Sequence, residues 1–380
     1  ATAVAVPVPA SNERLNAADL EAWVDGFMPY ALEQTDVAGS VVVVVKDGKV
    51  LFQKGYGYSD LATRKPVDPA QTLFRPGSVS KLFTWTAVMQ LVEQGKLDLD
   101  KDVNTYLDFK VPPYDGKPVT LRNIMTHTSG MEEVIRGLIA NNESELAPLD
   151  ATLKHWIPAR IYEPGSTPAY SNYATALAGY IVQRVSGEPF EKYIANHIFA
   201  PLQMQHSSFS QPLEKSLQPM VSKGYKTASD GKAQPYEYIN LAPAGSLAST
   251  GADMGNFMIA HLNNGAFGEN RILGEATAKQ MHETGQDSIK PLNRMMLGFY
   301  ETTTNGHRAI AHGGDTQWFH SDLQLFPDDG IGIFVSTNSA GKDGSARLIR
   351  DGLVTGFANR YLPGPSNVAK GIDEATAKEH

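Results

Sequence analysis

A chain of 380 residues, 42% of them hydrophobic, can bury a sizeable core and has room for two domains or one large composite. A net charge of −8 and the lack of any long Lys/Arg cluster argue against nucleic acid as a partner. The absence of cysteine excludes disulfides, thiol catalysis and cysteine-ligated metals.

The first ten residues, Ala1 to Ala10, are small and apolar with two prolines. They read as part of a flexible segment, residues 1–14, at the start of a mature exported protein, so a periplasmic or secreted location is expected. Residues Ala17 to Thr35 carry Leu20, Trp23, Val24, Phe27, Tyr30 and Ala31 on one face, an amphipathic helix that Pro29 is expected to kink. Ser40 to Lys46 and Val50 to Tyr56 flank Asp47-Gly48, a strong hairpin signal. The longest aliphatic run, Val41 to Val45, falls far short of a membrane span.

From Ser78 to about Asn264 helical patterns dominate, broken by loops at Val111 to Pro118 and Tyr162 to Pro168. After Pro291 strands return at Met296 to Thr302, Arg308 to His312, His320 to Phe326 and Ile331 to Thr337. Asn305-Gly306 and Asp329-Gly330 mark two of the turns. A last helix is expected from Ser345 to Tyr361, followed by a tail, residues 363–380, that ends on an uncapped polar fragment. The natural protein is therefore expected to continue, and a further C-terminal portion could anchor it to a membrane. The order predicts an α/β (α+β) fold. Residues 15–72 and 291–362 form one antiparallel sheet with the terminal helices, residues 73–290 form an all-helical domain, and the cleft between them is the natural site.

The chemistry centres on Phe74-Arg75-Pro76-Gly77-Ser78-Val79-Ser80-Lys81. Pro76-Gly77 breaks the preceding segment, and Leu82, Phe83, Trp85, Val88, Met89, Leu91 and Val92 then recur at helical spacing. Ser78 and Lys81, three residues apart, share a helix face. Burial there lowers the lysine pKa, and a neutral amine can take the serine proton. The same S-x-x-K spacing occurs at Ser229 to Lys232 and Ser339 to Lys342, but in Gly-containing turns that read as solvent-facing loop.

Two other stretches stand out. In Pro168-Ala169-Tyr170-Ser171-Asn172-Tyr173, a tyrosine hydroxyl can enter the cleft and Asn172 offers both a donor and an acceptor. The Tyr-x-Asn pattern has a double at Tyr238-Ile239-Asn240. In Ala311-His312-Gly313-Gly314-Asp315, paired glycines at a strand end let a backbone or a substrate come close. No nucleophile elbow, zinc-protease motif or phosphate loop competes. His282-Glu283 lacks a second histidine and reads as surface, His127 and His320 read as structural, and Asp253 reads as a first-turn acid complementing a helix dipole. Nothing implies a metal or an organic cofactor.

Taken in order, S-x-x-K, Y-x-N and H-x-G resemble the penicillin-recognising serine hydrolases, most of all the class C β-lactamase-like branch of D,D-peptidases, D-aminopeptidases and esterases. The resemblance spans about Glu33 to Tyr361 and takes in Ile124-Met125-Thr126-His127-Thr128-Ser129-Gly130 and Gly179-Tyr180-Ile181-Val182. It implies that Ser78 forms an acyl-enzyme, that Lys81 helps deprotonate it, and that Tyr170 relays the proton and later activates water. It also implies that Asn172 bonds Lys81 and the substrate amide, and that the backbone N–H groups of Ser78 and Asp315 form the oxyanion hole. Either Lys81 or Tyr170 can serve as the base at this stage.

His312, followed by Gly314 on the substrate-binding strand, stands where most β-lactamases of this family carry lysine. A mostly neutral imidazole gives up the attraction for a substrate carboxylate, and Asp315 adds a negative charge. This favours a peptidase or amidase on small peptides, including those with a D-residue at the scissile bond. The alternatives are a carboxylesterase or weak β-lactamase on the same scaffold, or a penicillin-binding-like sensor that acylates without turnover. Specificity is expected from Met131 to Leu149, Gln286 to Met295, and Trp318-Phe319.

Overall fold

The computed structural model describes residues 14–286 and 293–364. The expected flexible start, the C-terminal tail and most of the Gln286 to Met295 stretch lie outside the described residues.

Asn16 opens α1 (Ala17–Thr35) by accepting from the Asp19 amide at 2.9 Å. Leu20, Val24, Met28 and Leu32 form its buried stripe at a spacing of four, and Pro29 sits inside without ending it. Strands β1 (Gly39–Lys46) and β2 (Lys49–Asp60) follow as a hairpin, with Asp47 at φ 49° and Gly48 at φ 78°, the two left-handed residues of a primed turn. A short β3 (Lys65–Pro66) pairs with β2.

The middle of the chain supplies α2 (Lys81–Glu93), α3 (Asn172–Ser186), α4 (Gly251–Leu262) and α5 (Glu275–Glu283). The chain then returns as β4 (Tyr300–Thr304), β5 (His307–Asp315), β6 (His320–Phe326) and β7 (Ile331–Thr337), and closes with α6 (Ala346–Tyr361). The sheet order is β4-β5-β6-β7-β1-β2-β3, with every neighbouring pair antiparallel. The first and last thirds therefore meet in one sheet, sealed where β1 pairs with β7 from Ser40↔Thr337 to Lys46↔Ile331.

The Val41 to Val45 run lies at the centre of this sheet, and all five valines are fully buried. Side chains alternate across a strand. Val42 and Val44 join Leu20, Val24, Ile349, Leu353 and Phe357 of the terminal helices. Val41, Val43 and Val45 face the middle of the chain. There α4 lies close enough that a Cβ on Gly251 would come within 2.6 Å of Val41. The helical region and this sheet face share one core, which also holds the Phe83–Phe257 stack at 3.9 Å. Helix α2 runs through it and is buried at every position from Lys81 to Leu91.

Several elements depart from the sequence reading. The strand expected at Met296 begins at Tyr300, because Met296 to Phe299 folds into a tight turn, with Gly298 at φ 100° seated on the Trp85 ring. Strand β5 runs past His312 to Asp315, carried on by the Asp315↔His320 pairing. Helix α3, expected from about Ala174, starts at Asn172 because Ser171 accepts from the Ala174 amide at 3.0 Å. Ser339 is buried rather than solvent-facing, with its Oγ accepting from the Ala38 amide at 2.9 Å. His282 is also buried, its Nε2 lying 2.9 Å from His261 Nδ1. Asp253 does fall in the first turn of α4 as expected, but it is buried and accepts from the His206 amide and the Ser207 hydroxyl at 2.8 and 2.7 Å. Among the described residues, no helix is long and apolar enough to cross a membrane.

Candidate active site

The turn before α2 is built by close backbone contact. Gly77 adopts φ 55°, and a Cβ there would lie 2.7 Å from the Asp315 backbone. Residues Gly77–Ser80 make one tight helical turn, locked by Ser80, whose hydroxyl donates to the Gly77 carbonyl at 2.5 Å and accepts from the Leu247 amide at 3.1 Å. Ser78 is the second residue of that turn, so no preceding helical carbonyl is placed to take its N–H.

Lys81 enters from the next helix with no exposed surface. Its Nζ lies 2.8 Å from Ser78 Oγ, 2.7 Å from Asn172 Oδ1 and 2.9 Å from the Ala244 carbonyl. Burial pushes the amine down to about 7, while the negative charge of Glu133 pulls in the opposite direction. Two of the three partners are carbonyl oxygens and can only accept. A neutral amine therefore gives its two hydrogens to Asn172 and Ala244 and turns its lone pair to Ser78, the one partner able to donate.

Tyr170 donates its O–H to Ser78 Oγ at 2.7 Å, and its ring stacks on His127 at 4.5 Å. Burial raises its pKa well above the ordinary 10, more than the bond to Ser78 lowers it, so the group is a phenol at neutral pH. Ser78 Oγ thus accepts from Tyr170 while it faces the amine of Lys81.

Glu133, half-buried, accepts from Asn172 N at 3.2 Å and Asn172 Nδ2 at 3.1 Å. Its place beside Asn172 was not read from the sequence, where it belonged to an acidic stretch expected to shape specificity. Its only signal was its nearness to Thr128-Ser129-Gly130. The Ala244 carbonyl is a backbone group and left no signal.

On the strand side, His312 is buried, with Nδ1 2.6 Å from the Gly313 carbonyl, Nε2 without a partner among the described residues, and its ring 4.9 Å from Tyr300. Burial and the nearby Lys81 charge hold it down to about 3, so it is neutral. Gly314 meets polypeptide, not open space: a Cβ there would lie 1.9 Å from the Pro76 carbonyl. The Asp315 carboxylate is compensated, at 2.7 Å from His320 Nδ1 and 2.8 Å from Arg350 Nη1.

Ser78, Asn172, Asp315 and Thr316 line a cleft of about 60 Å³ together with the apolar Leu138 and Ile239, and among the described residues none that lines it is cationic. Neither Trp318 nor Phe319 lines it. Phe319 borders a larger neighbouring cavity, and Trp318 packs over Gly224. The arrangement provides a nucleophile, an adjacent neutral amine, a phenolic proton donor and amides at a helix start. Together these are the parts an acyl transfer needs.

The Beta-lactamase family model matches residues 20–355. "Protein flp" of Staphylococcus aureus (strain N315) is 26% identical over 324 residues, which cover 84% of this chain and 63% of that protein. This chain therefore spans less than two thirds of that relative's length. "Putative penicillin-binding protein PbpX" of Bacillus subtilis (strain 168) is 30% identical over 293 residues, 76% of this chain and 68% of that one. The octameric penicillin-binding protein homologue from Pyrococcus abyssi superposes with a TM-score of 0.77 at 24% identity, over 90% of this chain and 78% of its own. At that identity the likeness is one of fold.

Proposed function

The chain belongs to the beta-lactamase family of serine hydrolases, and from that premise we propose that it is a peptidase or amidase acting on small peptides through an acyl-enzyme at Ser78. The observation that carries this reading is the placement of Lys81. It is fully buried, held by two carbonyls, and aimed at Ser78 Oγ from 2.8 Å.

Lys81 takes the Ser78 proton as Oγ attacks the substrate carbonyl. The Ser78–C bond forms, and the negative charge on the carbonyl oxygen falls between the N–H groups of Ser78 and Asp315. The proton then passes from Lys81 through the Tyr170 hydroxyl to the leaving nitrogen as the C–N bond breaks. Water repeats the sequence in reverse: it loses its proton to the Tyr170–Lys81 pair, adds to the ester carbonyl and expels Ser78. A phenol with a raised pKa suits a relay, and an amine near 7 suits the base.

The substrate class follows from charge. Among the described residues the cleft lining offers no cation, His312 is neutral and buried, and the Asp315 carboxylate already pairs with His320 and Arg350. A carboxylate next to the scissile bond would find no cationic partner among these lining residues, whereas an amide or a blocked peptide is accommodated. The same observation supports a second reading, a carboxylesterase. The ratio of turnover of a D-alanine p-nitroanilide to that of a p-nitrophenyl ester separates the two.

Intact mass after incubation with a fluorophosphonate tests the nucleophile. Wild type is expected to gain one adduct and Ser78→Ala none. Labelling of both proteins, or of neither, would sink the mechanism. In parallel, a β-lactam adduct that persists agrees with the peptidase reading, whereas rapid turnover of carboxylate-bearing cephalosporins without amidase activity would replace it with a β-lactamase.

A further inference from the structure

A second cavity of about 360 Å³ lies beside the cleft and shares no lining residue with it. Its walls include Arg75, Leu213, Val221, Tyr236, Tyr238 and Phe319. Tyr238 borders this cavity and the next residue, Ile239, borders the catalytic cleft, so a single short extended segment separates them.

Arg75 is only 1% exposed. Its Nη1 donates to the Glu237 carbonyl at 2.8 Å, its Nε to the Leu247 carbonyl at 3.4 Å, and its plane stacks on the Tyr236 ring at 4.3 Å. Its Nη2 is buried and has no hydrogen-bond partner among the described residues. No carboxylate among them lies within ion-pairing distance of it. The nearest candidate in sequence, Glu237, spends both oxygens elsewhere, on the Thr316 hydroxyl at 2.6 Å and the Gln317 amide at 2.7 Å. The Tyr236 hydroxyl and the Trp318 indole N–H are also buried without partners among the described residues. Tyr236 lines the cavity, and Trp318 packs on Gly224, which lines it too.

Buried donors in folded proteins are satisfied, and buried cations are paired. Here a buried guanidinium with a spare N–H and an unpartnered phenol belong to two residues that line one cavity large enough for a small organic molecule, and Trp318 packs on a third lining residue, Gly224. What they lack in common is an acceptor, and Arg75 lacks a negative charge. The remaining wall mixes the apolar or aromatic Leu213, Val221, Tyr238 and Phe319 with the charged Glu143, Lys223 and Glu237. We propose that this cavity binds a carboxylate carried on an apolar body, with the carboxylate on Arg75 Nη2 and Tyr236 Oη and the body against Val221 and Phe319. Such a ligand is either a free small acid or the far end of a longer substrate. Either one would lie three residues from Ser78 along the chain and one hydrogen bond, Glu237 to Thr316, from the cleft.

The test is calorimetric titration of the full chain with N-acetylphenylalanine and with its uncharged amide. The acid is expected to bind about tenfold or more tightly than the amide, because only the acid pairs with the guanidinium. Tyr236→Phe keeps the ring under Arg75 and removes only the hydroxyl, and should weaken the acid by about five- to tenfold. Val221→Trp should fill the cavity and abolish binding. Both variants should hydrolyse p-nitrophenyl acetate as wild type does, which shows that they fold. Equal binding of acid and amide, binding that survives Val221→Trp, or no binding at millimolar acid with water alone in the cavity would overturn the proposal. The source of the carboxylate is read from p-nitrophenyl esters of adipic and hexanoic acids. A lower KM for the adipate that Tyr236→Phe erases marks a substrate end, and equal KM values mark a free effector.

Discussion

Glu133 holds Asn172 by both of its nitrogens, the backbone N at 3.2 Å and Nδ2 at 3.1 Å, and so leaves Asn172 its carbonyl oxygen for Lys81. The carboxylate thus does two things: it fixes which way the amide faces, and it supplies the charge that opposes the depression of the Lys81 pKa. Replacing it by Glu133→Gln removes the charge and lets Asn172 turn. In the proposed mechanism Lys81 acts as a base in its neutral form, so activity is expected to rise with pH through its pKa. In the variant that rise is expected at lower pH than in wild type, with kcat reduced about tenfold as Asn172 loses its orientation. The pH dependence of kcat/KM measures it, and a limb that stays in place would mean that Lys81 is not the titrating base.

Tyr170→Phe deletes the hydroxyl that reaches Ser78 Oγ at 2.7 Å and keeps the ring on His127. A loss of about 10²–10⁴ in kcat with little change in KM is expected, the usual scale for a positioned proton relay. Because the phenol pKa is raised above 10, wild-type activity should show no fall between pH 8 and 10 that Tyr170→Phe abolishes. Steady-state kinetics across that range decide it.

The sheet was legible in the sequence because its signals are local and periodic. Asp47-Gly48 and Asn305-Gly306 carry the left-handed pairs that primed turns need, and α1 falls where its stripe of apolar residues predicts. Ser78, Lys81, Tyr170 and Asn172 were legible as residue types at motif spacing, and the fold brings all four within hydrogen-bond contact. The rest depends on contacts that no local pattern encodes. The Ala244 carbonyl reaches Lys81 from far along the chain, and Ser339 and His282 are buried by partners at Ala38 and His261. Arg75 next to the nucleophile drew no reading, since its meaning lies in the partner it lacks.

Gly314→Ala and Gly313→Ala separate close packing from strand propensity. At 314 a Cβ would lie 1.9 Å from the Pro76 carbonyl and 2.9 Å from the Val79 amide, so β5 must retreat from the Ser78 turn. A cost of about 2–4 kcal/mol in stability is expected, with loss of activity as Asp315 moves away from Gly77. At 313 the nearest atom is 3.8 Å away, so Ala there should change stability by less than about 1 kcal/mol. Denaturant unfolding of the pair measures both, and similar costs at the two positions would remove the argument that β5 is pressed against the nucleophile turn.

Lys81→Met should kill activity and yet stabilise the fold at neutral and acid pH. The folded-state pKa of about 7 lies below the ordinary 10.5, so the folded protein resists the charged form that the unfolded chain readily accepts. That penalty is fully present below pH 7. It fades as pH rises from about 7 toward 10.5, the window in which the unfolded chain still binds the proton and the folded one does not. Wild-type stability should therefore rise relative to Lys81→Met across that window, by about 2–3 kcal/mol between pH 6 and pH 9. Methionine fills a similar volume without a charge, so the variant keeps the packing of α2 while leaving Asn172 and Ala244 without their donor. That lost bonding reduces the gain by a roughly constant amount and leaves the pH slope intact. The slope is thus the decisive measurement: urea unfolding of both proteins at pH 6, 7.5 and 9 should show the difference shrinking with pH. A difference independent of pH would mean that Lys81 keeps its ordinary pKa, and the proposed base would then have to be found elsewhere.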